Sequence, residues 1–347
     1  VSRVLSVVGL ACGPDGSGYY RMYLPFKNLA ANSRHLVMIP PPGRTPPMPT
    51  RADLEDVDVF IAQRPVGAAG MRTWDNLEGV TARVYEVDDD LLNVDPSGLA
   101  HLCDDRIRDS IRYILARSEM VTVSTPFLAE KCAQYNPNVR VLPNMINAEL
   151  MDLPRRRRDK VTVGWAGGSS HLADMAYVQD PLRAVLDRHP GVDMHFVGMD
   201  YSPLLHRECL WTGWSGDVWD YYRAVDFDIG LAPLADIPFN YSKSHLKALD
   251  YAAMGIPVIA QDMPPYREFV QDGVTGYLVG SHAEWEKRLD ELIGDEAARL
   301  EMGANAKALA AKWTIQGNWQ RWEAAYEEAA GHGTQDHAGS DPAAPRP

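Results

Sequence analysis

Along this chain, short apolar, β-rich runs recur at near-regular intervals, each followed by a longer stretch with helical spacing. The first six are VLSVVGL at 4–10, HLVMI at 35–39, VDVFIA at 57–62, ARVYEV at 82–87, MVTVS at 120–124 and VRVLP at 139–143. Strands that alternate with helices run parallel and are covered on both faces, which is why they read as continuous apolar runs. The rhythm breaks once, at Met151–Lys160 (MDLPRRRRDK), which is polar and contains Pro154. It then resumes with VTVGWAG at 161–167, DMHFVGM at 193–199, FDIGLAP at 227–233, IPVIA at 256–260 and GYLVG at 276–280. Two successive α/β units joined by a linker follow from this pattern. The Arg155–Arg158 run reads as a solvated part of that linker, because like charges beside a proline resist compaction.

Composition narrows the class. With 347 residues, 46% hydrophobic and 9% aromatic, the chain has enough apolar material for two cores. A net charge of −13 excludes a protein held to nucleic acid by a broad basic surface, while leaving room for a local cationic pocket. Cys12, Cys103, Cys132 and Cys209 form no CxxC pair, so no zinc site or disulfide framework is signalled, and a reducing, cytoplasmic setting is expected. The opening Val1–Cys12 reads as a buried strand, and no stretch reaches the roughly 18 uninterrupted apolar residues of a membrane span. Trp319, Trp322 and Tyr326 fall at i, i+3 and i+7, an aromatic stripe that predicts a final packed helix. Beyond residue 330 the sequence has no apolar period and a disordered tail is expected.

Four constellations could carry chemistry. In Pro238–Pro257 a helix starting at a Ser242 cap would set Lys243, Lys247 and Asp250 at i, i+4 and i+7 on one side. Two lysines oppose the positive end of a helix dipole. Either a bound diphosphate or an internal Lys247–Asp250 pair would offset them. Gly164–His171 (GWAGGSSH) sits where a strand turns into a helix, so that Gly167 and Gly168 would let backbone approach a ligand and Ser170 and His171 would hydrogen-bond to it. Gly13–Tyr20 (GPDGSGYY), with Gly16 and Gly18, is the equivalent turn in the first unit, and it matches neither a P-loop nor GxGxxG. Asp88, Asp89 and Asp90 follow the strand ending at Val87, where they serve either as turn residues or as groups facing a ligand.

Taken in order, these pieces resemble the GT-B glycosyltransferases, in particular the retaining family four type. The resemblance rests on the apolar strand with the Gly16–Gly18 turn, VTVSTPFLAEK at 121–131 followed by VLPNMIN at 141–147, HFVGM at 195–199, KSHLKALDYAAMGIPVIA at 243–260 and DGVTGYLV at 272–279. It implies an α/β fold of two Rossmann-like domains facing across a cleft, with an acceptor-side domain at 1–150, a linker at 151–160 and a donor domain at 161–312. A helix at 313–330 would cross back to the first domain, ahead of the tail at 331–347. It further implies transfer of a sugar from a nucleotide-diphosphate sugar, a UDP- or GDP-sugar, to an acceptor hydroxyl with retention, and no required cofactor or metal. The family's pair of glutamates aligns with Ser242 and Asp250, so only the second carboxylate survives, and Asp250 would meet the donor ribose. Asn240 and the two lysines would take over polar contacts, with Lys243 and Lys247 at the diphosphate. The first-domain histidine of many members is absent, and Asp88 or Asp89 stands closest to its place. The acceptor, whether a glycan, a protein, a lipid-linked sugar or a modified base, stays open. A sugar-nucleotide epimerase of the same shape, or a binding protein that has lost catalysis, would present the same motifs.

Overall fold

The structure is a computed structural model that describes residues 3–13, 16–41, 47–94, 104–156 and 158–337, the side chains of 332–337 excepted. It divides into two compact units. One is drawn from Val1–Leu92, Asp104–Pro143 and Asn318–Pro347, the other mainly from Asn144–Gly317.

The first unit holds strands β1 (Ser6–Leu10), β2 (Leu36–Met38), β3 (Val59–Gln63), β4 (Ala82–Val87), β5 (Met120–Val123) and β6 (Val139–Val141). They form one sheet in the order β2-β1-β3-β4-β5-β6 with every pairing parallel. Strands β3, β4 and β5 are buried at every position, as expected where helices cover both faces. The helix Gln320–His337 also belongs here. It buries Trp322 and Tyr326, the latter with its ring 6.0 Å from that of Phe26. Arg140 and Arg34 pair with Glu328 and Glu327 on the same helix. The aromatic stripe is thus a packing stripe on the first unit. The helix continues to His337, so the disorder expected from residue 331 is corrected for 331–337, and 338–347 lie outside the described residues.

The second unit repeats the plan with β7 (Thr162–Gly167), β8 (Asp193–Gly198), β9 (Leu210–Thr212), β10 (Ile229–Ala232), β11 (Val258–Gln261) and β12 (Gly276–Val279), again all parallel, in the order β12-β11-β10-β7-β8-β9. Trp165, Phe196, Ile229, Leu231, Ile259 and Trp285 lie at its core. Strand β9 was not anticipated. It is a three-residue edge strand with Trp211 57% exposed, so it lacks the double-faced burial that makes an apolar run.

Two further expectations are corrected. Arg155 and Arg158 do not trail in solvent: Arg155 donates to the Phe227 carbonyl and Arg158 pairs with Asp226 at 2.6 Å, docking this stretch on the residues that lead into β10. The helix expected from Ser242 begins at Leu246 and ends at Ala253. Pro238–Ser242 instead forms a 3-10 turn with Ser242 buried, Lys243 is extended, and His245 takes the N-cap position. The predicted end was right, since Gly255 adopts the left-handed conformation that follows a helix.

Among the described residues, no helix is long and apolar enough to cross a membrane.

Candidate functional site

Open parallel sheets bind ligands at the carboxyl ends of their strands, where the chain order reverses. In the second unit that reversal falls between β7 and β10, because β8 and β9 lie to one side of β7 and β10, β11 and β12 to the other. The two strands pair only at Ile229↔Val163 and Gly230↔Gly164. Beyond that, Tyr251 from the helix Leu246–Ala253 fills the gap, accepting the Ala166 N–H at 2.9 Å. One turn earlier on the same helix, Lys247 donates its ammonium to the Ala166 carbonyl and lies over the Trp165 ring, 4.5 Å from its centroid. Gly167 makes room for it, since a Cβ there would stand 2.8 Å from both Nζ and the Trp165 ring. Lys243, which precedes the helix, rests its Nζ 4.7 Å from the Phe239 ring centroid.

The charge of Lys243 reaches Lys247, though the two do not share the single helical face first expected, since Lys243 lies outside the helix. Burial, and next the charge of Lys243, lower the Lys247 ammonium from 10.5 to about 7, with Asp250 and Asp174 pulling weakly the other way. Asp250 is buried on the second turn of this helix.

A second group joins the glycine turn to the segment after β10. Asp174, buried in the first turn of the helix Leu172–Arg188, accepts at Oδ2 from His171 Nδ1 at 2.6 Å. At Oδ1 it accepts from the Ala235 N–H at 2.8 Å and from Asn240 Nδ2 at 2.6 Å. Asn240 Nδ2 also donates to the Ala235 carbonyl, so its amide braces Asp174. Burial opposes ionisation of Asp174, but the His171 hydrogen bond, Lys243 and the Ala235 N–H outweigh it and the carboxyl titrates below its ordinary value. His171 is pushed down to about 3, by burial first and then by Lys243 and Lys247. Its ring meets Trp165 edge-on at 5.5 Å, so His171 and Lys247 share one indole. Tyr201 Oη, placed after β8, lies 3.2 Å from both the Gly168 and Ser169 carbonyls and fixes the turn, while Ser170 is part-exposed beside it. Sequence reasoning missed Asp174, Tyr201 and Trp165. The only local signal was an acidic residue three positions after His171, at a helix start.

In the first unit the order reverses between β1 and β3. The Cys12 N–H donates to Gln63 Oε1 at 3.1 Å, Gln63 Nε2 donates to Ser17 Oγ at 2.6 Å, and Ser17 Oγ donates to Asp88 Oδ2 at 2.8 Å. Arg64 follows β3 in a left-handed conformation (φ 52°) and donates through Nε to Asp88 Oδ1 at 2.8 Å and through Nη2 to Asp89 Oδ2 at 2.8 Å. Such a conformation costs on the order of 1 kcal/mol for a residue other than glycine, and the surroundings must hold it. Burial opposes ionisation of Asp88, but Arg64 and then Arg21 prevail and keep it below the ordinary carboxyl value. Gly18 packs so closely that a Cβ would fall 1.9 Å from the Gly13 carbonyl oxygen, whereas Gly16 faces open space. Under this layer Arg21 and Glu86 form a fully buried pair at 2.7 Å, with Thr122 Oγ1 donating to Glu86 Oε2 at 2.5 Å.

His35, Glu323 and Glu327 also converge. The Leu5 N–H donates to His35 Nδ1 at 3.1 Å, which leaves the proton of the neutral ring on Nε2, the atom facing the carboxylates at 3.5 and 3.4 Å. That nitrogen is a donor and offers no lone pair to a metal.

Two six-stranded parallel sheets with a C-terminal helix returned to the first unit define the GT-B fold, and a solved structure agrees. The Anabaena protein HepE, in complex with UDP and glucose, superimposes with a TM-score of 0.64 at 14% identity, over 92% of this chain and 99% of that one. Residues 160–295 match the family model described as Glycosyl transferases group 1, so the resemblance read from the sequence holds. Among curated proteins, the chain is similar to the D-inositol 3-phosphate glycosyltransferases of Nocardia farcinica, at 38% identity over 32% of this chain and 24% of that protein, and of Corynebacterium kroppenstedtii, at 30% over 36% and 27%. These matches span about a quarter of the relatives' own length.

Proposed function

We propose that this protein is a glycosyltransferase that moves a sugar from a nucleotide-diphosphate sugar to an acceptor hydroxyl, with retention of anomeric configuration. The observation that carries this reading is Lys247 seated against the Gly167 turn at the strand-order reversal of the second unit, with Lys243 near enough for its charge to act on Lys247. A part-buried ammonium beside a second cation gains from a neighbouring anion, and a diphosphate at a glycine turn is such an anion.

In the reaction, the bond from the anomeric carbon to the diphosphate oxygen breaks as a bond to the acceptor oxygen forms on the same face. The acceptor proton passes to the departing diphosphate. Negative charge grows on that leaving group, so Lys243, Lys247 and the amides of Gly167 and Gly168 stabilise the transition state more than the ground state. Asp250 receives the ribose hydroxyls, while Ser170, Ser242 and the Asn240–Asp174 brace shape the same site. A UDP- or GDP-sugar is the donor, and the UDP held by HepE supports the first. The first unit takes the acceptor at the Gly16–Gly18 turn, where Asp88 and Asp89, both paired with Arg64, accept hydrogen bonds from hydroxyls and orient them.

Calorimetric titration with UDP and GDP tests this reading. One of them should bind in the micromolar range, and Lys243→Ala should weaken it at least about tenfold, on the order of 1.4 kcal/mol. Absence of binding by both would remove the basis of the proposal.

A further inference from the structure

The brace around Asp174 fixes more than a position. Its Oδ1 accepts two hydrogen bonds, from the Ala235 N–H and from Asn240 Nδ2, and the carboxyl titrates below its ordinary value, so at neutral pH Oδ2 carries no proton and is an acceptor as well. The third partner, His171 Nδ1 at 2.6 Å, must therefore donate. A neutral imidazole with its proton on Nδ1 carries a lone pair on Nε2. No hydrogen-bond partner stands at that nitrogen among the described residues. The ring is kept neutral by burial and by the neighbouring charges of Lys243 and Lys247.

This polarity conflicts with the phosphate-donor role expected of His171 from the sequence. A lone pair repels phosphate oxygens and accepts from hydroxyls. In a ligand whose diphosphate lies at Lys243 and Lys247, the hydroxyl-bearing group next to the phosphates on the reacting side is the sugar. We propose that His171, through Nε2, accepts a hydrogen bond from a hydroxyl of the donor sugar and is a specificity-determining residue, an inference that rests on the glycosyltransferase reading above. Asp174, Asn240 and the Ala235 amide are its positioning residues. A site built to hydrogen-bond a hydroxyl rejects analogues that lack it far more strongly than an apolar pocket does.

The test uses His171→Asn, whose side-chain amide can keep the bond to Asp174 while removing the Nε2 acceptor. Nucleoside diphosphate affinity should stay within about twofold of wild type, while turnover of the nucleotide sugar should fall at least about tenfold. Across a series of deoxy-sugar donors, one member should be used equally well by wild type and variant, which identifies the hydroxyl. A parallel loss of nucleoside diphosphate affinity would place His171 on the phosphate or ribose and overturn the inference, as would unchanged turnover. Should the variant fail to fold, nitrogen-15 NMR of the wild-type histidines gives a direct answer. A protonated Nδ1 with a bare Nε2 at neutral pH supports the inference, and the opposite tautomer or an imidazolium overturns it. Wild-type protein that binds no nucleotide sugar would instead overturn the glycosyltransferase reading, a result distinct from a loss confined to the variant.

Discussion

The Lys247 ammonium makes a quantitative demand on the folded protein. Its fall from 10.5 to about 7, caused by burial and by Lys243, means that the folded state resists holding this proton. Below about pH 7 both the folded and unfolded chains carry it and the penalty is complete, at most about 5 kcal/mol, less whatever solvent screens at the part-exposed side chain. Between about pH 7 and 10 the unfolded chain keeps the proton while the folded chain has lost it. Stability then rises with pH by up to about 1.4 kcal/mol per unit. Lys247→Met removes the charge and keeps the apolar stem over Trp165. The difference in unfolding free energy between variant and wild type, measured in urea from pH 6 to 10, should favour the variant most at pH 6 and shrink as pH rises. A diphosphate beside the ammonium restores its proton, so at pH 8 nucleotide binding should take up protons, seen as a dependence of the calorimetric heat on buffer ionisation enthalpy. Parallel stability curves for the two proteins, together with no proton uptake, would show that Lys247 keeps its ordinary affinity for the proton.

Further outcomes can be checked separately. Lys243→Ala should lower turnover at least about tenfold without shifting the melting temperature by more than a few degrees, as steady-state kinetics and thermal unfolding would show. In Gly167→Ala the added Cβ meets Lys247 Nζ and the Trp165 ring at 2.8 Å, so nucleotide affinity should drop while the fold persists by circular dichroism. Arg21→Met strips the partner from buried Glu86 and should cost about 3–5 kcal/mol in chemical denaturation, one of the largest single-site losses in the first unit.

Much of the architecture is legible in the sequence, because parallel strands buried on both faces leave continuous apolar runs. Strands β3, β4 and β7 stand within two residues of the runs that predicted them. Strand β9 escapes notice because an edge strand with an exposed tryptophan carries no such run. The start of the helix Leu246–Ala253 was misplaced for a local reason. Ser242 has the chemistry of a cap, yet Pro238 starts a separate turn that buries it.

At the candidate site, residue type and spacing pointed to Lys243, Lys247, Gly167 and His171. They could not reveal Asp174 braced by Ala235 and Asn240, 61 and 66 residues away, since that contact depends on β10 crossing to lie beside β7. The docking of Arg158 on Asp226 and the left-handed Arg64 clamped by Asp88 and Asp89 are likewise products of tertiary neighbours rather than of local sequence.

Transfer from a nucleotide sugar leaves a signature even without acceptor, which incubation of the protein with a panel of UDP- and GDP-sugars would reveal as release of nucleoside diphosphate. One donor should be hydrolysed slowly, at a rate reduced at least about tenfold in Lys243→Ala and in Lys247→Ala. Hydrolysis of none of them, or a rate indifferent to both substitutions, would rule out sugar transfer at these two lysines.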